Sequence, residues 1–231
     1  MKTRSIFIVA VDGPAASGKS SICTQVAKNL GWSYLNTGAI YRSIAWLILQ
    51  RGASSQDPNA FIEAVQEFER HAIWDFNQNS MIYRGALITT QISAEAVGKI
   101  ASLIAKDATL RNLLLPIQRS LALKAEKAAV LDGRDIGSVV FPDADLKIFM
   151  TASLYHRASR RLQQLCKSDE ATLERVMKEI ELRDLQDSQR DVAPLTRTED
   201  AIEIDTSELD FATTVAKLEE IFLTRYRAMQ G

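Results

Sequence analysis

Cysteine and histidine are scarce, with two of each in 231 residues. Cys23 and Cys166 lie far apart in segments with helical patterning, so neither a disulfide framework nor a thiolate metal site is expected. They suit a reducing compartment. His71 and His156 have no partner at metal-ligand spacing and read as ordinary surface or packing residues. An excess of charge is also missing. Twenty-eight basic residues against 29 acidic ones leave a net charge of −1. That balance gives no electrostatic case for nucleic acid or an anionic membrane as partner. No apolar run is long enough to span a bilayer. The run at residues 6–11 is short and leads straight into a glycine loop, unlike a signal peptide or anchor. A cytoplasmic, soluble chain is expected.

What is present is ordinary globular composition, 46% apolar and 25% charged, enough for one substantial domain spanning residues 1–231. The apolar run Ile6 to Val11 predicts a buried parallel strand. Ile22, Val26 and Leu30 then recur at helical spacing, with Gly31 as a stop. Trp32 to Leu35 leads into a second helix carrying Ile40, Ile44 and Leu47, ended by Gly52. Asp57-Pro58 reads as an N-cap and first helical position for a helix through Phe61, Val65 and Phe68.

From about Ala72 three short strand-like pieces appear, 73–76, 81–83 and 86–89, punctuated by Asn77-Gln78-Asn79 and Arg84-Gly85. Helices are expected to begin near Ser93 and Thr109, the second kinked or restarted at Pro116. This block, residues 72–115, reads as a small inserted α+β subdomain. Strand and helix then alternate again. A strand ends at Val130-Leu131, another covers 146–150, and helices follow over 153–167 and 171–190. A last strand covers 201–204 and a closing helix 211–227. The alternation implies a parallel sheet covered on both faces, a three-layer α/β architecture.

Gly13-Pro14-Ala15-Ala16-Ser17-Gly18-Lys19-Ser20 fits the phosphate-loop pattern G-x-x-x-x-G-K-[ST], which arises by chance in a chain this long about once in a hundred. It also sits where the pattern belongs, between a buried strand and an amphipathic helix. The glycines let backbone N–H groups face phosphate oxygens, and the helix N-terminus adds positive potential. Lys19 would bridge the β- and γ-phosphates, and the Ser20 hydroxyl would hold Mg²⁺. A plain strand-to-helix turn explains the glycines but not Lys-Ser after Gly18. The loop alone does not separate kinases from switches. A guanine-reading Asn-Lys-x-Asp or Thr-Lys-x-Asp is absent from the sequence.

Three further segments bear on the acceptor. In Leu35 to Arg42 a hydroxyl, a helix start and an arginine converge; an N-cap with a solvated arginine reads equally well. Leu131-Asp132-Gly133-Arg134-Asp135 follows a buried strand and so lies at the carboxyl edge, where ligands bind. Asp132 there can hold Mg²⁺ through water, and Arg134 can grip a phosphate with two donors. An Asp-Gly turn is the simpler alternative. Arg183, Asp187 and Arg190 share a helical face. Spacing alone favours a solvated, ion-paired helix over a lid closing on phosphate.

Together, GPAASGKSS, LNTGAIYR, LDGRDIGSVVFPDADLKIF, RDLQDSQRDVAPL and AIEIDTS resemble the bacterial-type cytidylate (CMP/dCMP) kinase family, in the expected order over nearly the whole chain. The resemblance implies a P-loop NTPase core with the 72–115 block as nucleoside monophosphate-binding insert and residues 155–192 as a helical lid. It implies transfer of a phosphoryl group from ATP, with Mg²⁺, to CMP or dCMP. No exposed apolar seam stands out in the sequence, so a monomer is expected. Gly13 to Ser21, including Ser21, would bind ATP phosphates, and Arg160 would lie against the donor adenine. Thr37 and Asp187 match positions that hold the acceptor sugar. Arg42, Arg134 and Arg190 match positions near the acceptor phosphate. Ser102, Arg111 and Asp135 match the cytosine-reading set, and Arg183 a lid arginine near the transferring phosphate. Lys19, Arg134, Arg183 and Arg190 form the implied catalytic set. The chain departs from the family pattern at Asn36, more often Asp, at Gln186, where a second lid arginine is usual, and at Ser93, where arginine usually follows Ile92.

Overall fold

In the computed structural model of the chain, the described residues are 6–54, 57–164 and 172–230. Cys166 and the end of the expected 153–167 helix lie outside them, as does Ala171.

A five-stranded sheet forms the centre, built from β1 (Phe7–Asp12), β2 (Ser33–Asn36), β6 (Ala128–Gly133), β7 (Leu146–Thr151) and β8 (Ile202–Asp205). The order across it is β2-β6-β1-β7-β8, and every pair is parallel. β1 is central and buried throughout. Phe7, Val9 and Val11 face one layer, while Ile8 and Ala10 face the other. That is why its sequence is continuously apolar rather than alternating.

One layer holds α1 (Lys19–Leu30) and α9 (Phe211–Ala228). Phe222 is fully buried there and its ring stacks on Trp32 at 6.1 Å between centroids. Burying a side chain of that size contributes about 2–3 kcal/mol. The opposite layer holds α2 (Thr37–Gln50), α3 (Pro58–His71) and α6 (Ala108–Ala122). Asp57 caps α3 by accepting from Asn59 N at 2.9 Å, with Pro58 in the first turn.

A second, three-stranded antiparallel sheet, β3 (Ala72–Asp75), β4 (Ser80–Tyr83) and β5 (Ala86–Leu87), sits beside this layer. Trp74 pairs with Met81 across it, and both are buried in the same core as α2 and α3. The third strand is shorter than its sequence suggests. Ile88 turns inward, and a short α4 (Thr89–Ser93) intervenes before α5 (Glu95–Ile104). α6 continues through Pro116 without restarting. Its neighbours Leu110, Leu114 and Ala122 are fully buried, and that packing outweighs one missing backbone hydrogen bond.

At the carboxyl edge of the sheet lie α7 (Leu154–Gln164) and α8 (Leu173–Ser188). They pack on each other around Ala158, Val176 and Ile180, a cluster separate from the two main layers.

Candidate active site

The phosphate loop connects β1 to α1 at the carboxyl edge, where chain connections from the central strand diverge to both sides. Gly13 has φ 151° and passes so close to β7 that a Cβ would lie 2.0 Å from the Met150 carbonyl oxygen. Ala16 and Gly18 adopt left-handed φ values of 58° and 88°, which curl the loop. Gly18 starts α1 without a side-chain cap, so the first helical N–H groups are left for an anion. Lys19 is buried and its Nζ donates to Gly13 O at 2.8 Å, Pro14 O at 2.7 Å and Ser17 Oγ at 3.0 Å. Burial first, then the nearby Arg134 charge, lowers its pKa to about 7.

Beside the loop, Asp132, next to last in β6, gathers three hydroxyls. Ser20 Oγ donates to Oδ2 at 2.5 Å, Tyr34 OH to Oδ1 at 2.9 Å, and Thr37 Oγ1 to the backbone oxygen at 2.8 Å. Burial pushes the Asp132 carboxyl up, against the pull of Ser20 and Lys19. Among the described residues no three His, Cys, Asp or Glu side chains converge on a cation site. The Ser20 and Asp132 oxygens nevertheless suit a hard divalent ion that keeps water and nucleotide oxygens as its other ligands. Asp12, the last residue of β1, accepts from Ile136 N at 2.8 Å and Gly137 N at 2.7 Å. It thereby ties the loop's root to the π-helical turn Ile136–Val140 that follows Asp135. Burial raises Asp12 to about 6.

A cleft of about 670 Å³ opens from Ser20 and Ser21 toward α5 and α6, and every acceptor-side residue expected from the sequence lines it. At its far end Arg111 is buried, donates to the Ala105 carbonyl at 3.0 Å, and pairs with Asp135. Its guanidinium carbon also lies 5.6 Å from the Tyr41 ring centroid. Arg190 points Nη2 at Asp135 Oδ1 across 3.5 Å without completing a hydrogen bond to any described residue, so a buried donor faces the cleft. Arg134 Nε donates to Asp187 Oδ2 at 2.7 Å, which joins the β6 end to α8. Arg42 donates to the Ile92 carbonyl at 3.0 Å. Arg183 is exposed into the cleft; desolvation by its walls and then the Arg134 charge depress its pKa to about 10. Several arginines that repel one another around one cavity describe an anion site.

A family model described as cytidylate kinase matches residues 9–223. The chain belongs to the cytidylate kinase family. A cytidylate kinase from Clostridioides difficile is 42% identical over 202 residues, covering 87% of this chain and 91% of that one. One from Thermotoga neapolitana is 38% identical over 223 residues, covering 96% and 99%. A bifunctional pantoate ligase/cytidylate kinase from Trichodesmium erythraeum is 38% identical over 222 residues, and there this chain spans only 41% of the relative's length.

Arg160 is not part of the cleft wall. It donates to Thr206 Oγ1 at 3.0 Å and also to the Thr206 carbonyl, at the loop after β8. Its neighbour Arg161, unremarked in the sequence, lines the cleft instead. Asn36 caps α2 by accepting from Ala39 N at 3.1 Å, so the departure from aspartate keeps the cap and drops its charge. Ser93 donates to the Thr89 carbonyl at 2.6 Å at the exposed end of α4. Gln186 is half-buried on α8. Sequence reasoning also passed over Asp12, Tyr34, Arg157 and Asp184. Only Asp12 carried a local signal, as the acid closing an apolar strand next to the loop.

Proposed function

We propose that the chain transfers the γ-phosphoryl group of ATP to CMP or dCMP, giving ADP and CDP or dCDP. The observation that carries this reading is a single cleft joining Ser20, at the phosphate loop, to the buried Arg111–Asp135 pair. Its family membership supports the same acceptor.

ATP phosphates would lie against the N–H groups of residues 13–21, with Lys19 beside the β- and γ-phosphates and Arg160 near the donor base. The acceptor would take the other end. Thr37 and Asp187 would hold its sugar, and Arg42, Arg134 and Arg190 its phosphate. Asp135 would accept from the cytosine amine while Arg111 donates to the ring acceptors and Ser102 completes the set. Uracil has an oxygen in place of that amine, and a buried polar mismatch of this kind discriminates by about 10⁴-fold. Ser20, with Asp132 through water, would hold Mg²⁺, which neutralises phosphate charge when bound with the nucleotide.

The acceptor phosphate oxygen is already anionic, so no dedicated general base is required. Catalysis is then positioning and charge neutralisation, with the oxygen attacking the γ-phosphorus in line as the bond to ADP breaks. The arginines Arg134, Arg183 and Arg190 would balance charge as it shifts. The test is ADP production with CMP, dCMP, UMP, AMP, GMP or no acceptor. Turnover confined to CMP and dCMP is expected, with Lys19→Ala slower by at least about 100-fold. Equal turnover with UMP overturns the base assignment, and acceptor-independent turnover overturns the transfer itself.

A further inference from the structure

Residue Ala15, inside the phosphate loop, is almost fully buried, and both of its backbone polar groups are taken by side chains from the lid. Its N–H donates to Asp184 Oδ1 on α8 at 2.9 Å. Its carbonyl accepts from Arg157 Nη1 on α7 at 3.0 Å. The same Nη1 pairs with Asp184 Oδ2, and Arg157 Nε donates to the Ala152 carbonyl at 2.9 Å, where β7 passes into α7. The three residues close a ring. Every charge in it is matched, and Ala15 is enclosed on both sides by groups 169 and 142 residues away in sequence.

We propose that Asp184 and Arg157 are positioning residues: they lock the phosphate loop to the base of the lid and so fix where Arg183 meets the transferring phosphoryl group. The inference rests on the place given to Arg183 above. Arg183 and Asp184 are consecutive on one rigid helix, so any displacement of the carboxylate carries the guanidinium with it. α8 is held at two points about one turn apart, to Ala15 by Asp184 and to Arg134 by Asp187. Arg183 adjoins the first of these anchors and reaches into the cleft. In-line transfer is sensitive to shifts of this kind, since about 1 Å of misplacement costs about 100-fold in rate. A pair that merely stabilised the lid would act independently of Arg183. A positioning pair acts through it.

A double-mutant cycle separates the two. Steady-state kcat and KM are measured for the wild type, Asp184→Ala, Arg183→Gln and the double variant, with CMP and ADP affinities taken separately by calorimetry. Asp184→Ala is expected to lower kcat about 10- to 100-fold, with CMP affinity held within about threefold. The double variant should fall no further than about twofold below the slower single one, because the effects share a route. A double loss equal to the product of the two single losses overturns the inference and leaves the Arg183 assignment standing. Wild-type kcat in Arg183→Gln overturns that assignment and the inference with it. Hydrogen exchange supplies a readout independent of turnover: residues 13–17 should exchange faster in Asp184→Ala and at the wild-type rate in Arg183→Gln. Unchanged exchange in Asp184→Ala also overturns the inference. If Asp184→Ala does not fold, Asp184→Asn takes its place under the kinetic criteria. It keeps an acceptor for the Ala15 N–H and removes the charge facing Arg157.

Discussion

Asp12 is buried at the root of the phosphate loop with two backbone N–H donors. Burial dominates its titration, raising the carboxyl from 3.8 to about 6, while Asp135 adds to the rise and Lys19 opposes it. The folded protein therefore holds a proton here between about pH 4 and 6 that the unfolded chain has released. That contribution to stability is present at low pH and is lost as pH rises through 6. Asp12→Asn removes it. Denaturant titrations should show the variant gaining about 2 kcal/mol relative to the wild type between pH 4.5 and pH 7. A pH-independent difference would place the Asp12 pKa near its unfolded value. The same residue shows why parts of the site escaped the sequence. Lys19 and Ser20 announce themselves within eight consecutive positions, whereas Asp12 meets partners 124 and 125 residues away and Asp184 meets one 169 residues away. No spacing rule reaches across such separations.

At the scale of elements, the loop between β1 and α1 is constrained more tightly than its glycine pattern states. The collision facing a Cβ at Gly13 is with the backbone of β7, the strand beside β1, so no rotamer change relieves it. Gly13→Ala must push two paired strands apart or rebuild the loop. Its urea midpoint should fall by the equivalent of at least about 3 kcal/mol, with ADP binding lost by calorimetry. Gly52, by contrast, follows the end of α2, and no described residue lies within 4 Å of a Cβ there, so among the described residues substitution meets only the cost of its positive φ. Strands and long helices were legible because each buries a face at a fixed period. The short α4, the unbroken α6 and the π-helical turn after Asp135 were not. They arise where Ile88 and Ile92, the α6 core residues, and the Asp12 carboxylate pull the local chain into a shared interior.

For the whole molecule, the walls of the cleft carry charges that oppose one another until anions arrive. Arg161 depresses both Arg42 and Arg183, after the burial that dominates each. On the two rims, α5 carries Glu95 paired with Lys99 at 2.7 Å, and α8 carries Arg175 paired with Glu179 at 3.2 Å. The fields of these pairs reach across, since Arg175 and Arg161 help lower Glu95 and Glu179 helps raise Lys99. Two anionic substrates would neutralise the arginines and let the rims approach, excluding water from the transfer. Small-angle scattering should therefore show a smaller radius of gyration with a bisubstrate analogue than with ADP or CMP alone, starting from about 17 Å for a chain of this size. An unchanged radius would count against closure.

By itself the sequence determined the layered α/β architecture, the phosphate loop and the segments that supply the arginines of the cleft. Those depend on local periodicity and on residue types close together in the chain. Tertiary structure alone decided which charge each of these arginines meets and which of two neighbouring arginines on α7 enters the cleft. Arg160 turns to Thr206 while Arg161 turns inward, and Asp132 collects hydroxyls from α1, β2 and α2. Adjacent residues on a helix point about 100° apart. Which of two neighbouring side chains reaches a site is therefore set by how the helix packs on the sheet.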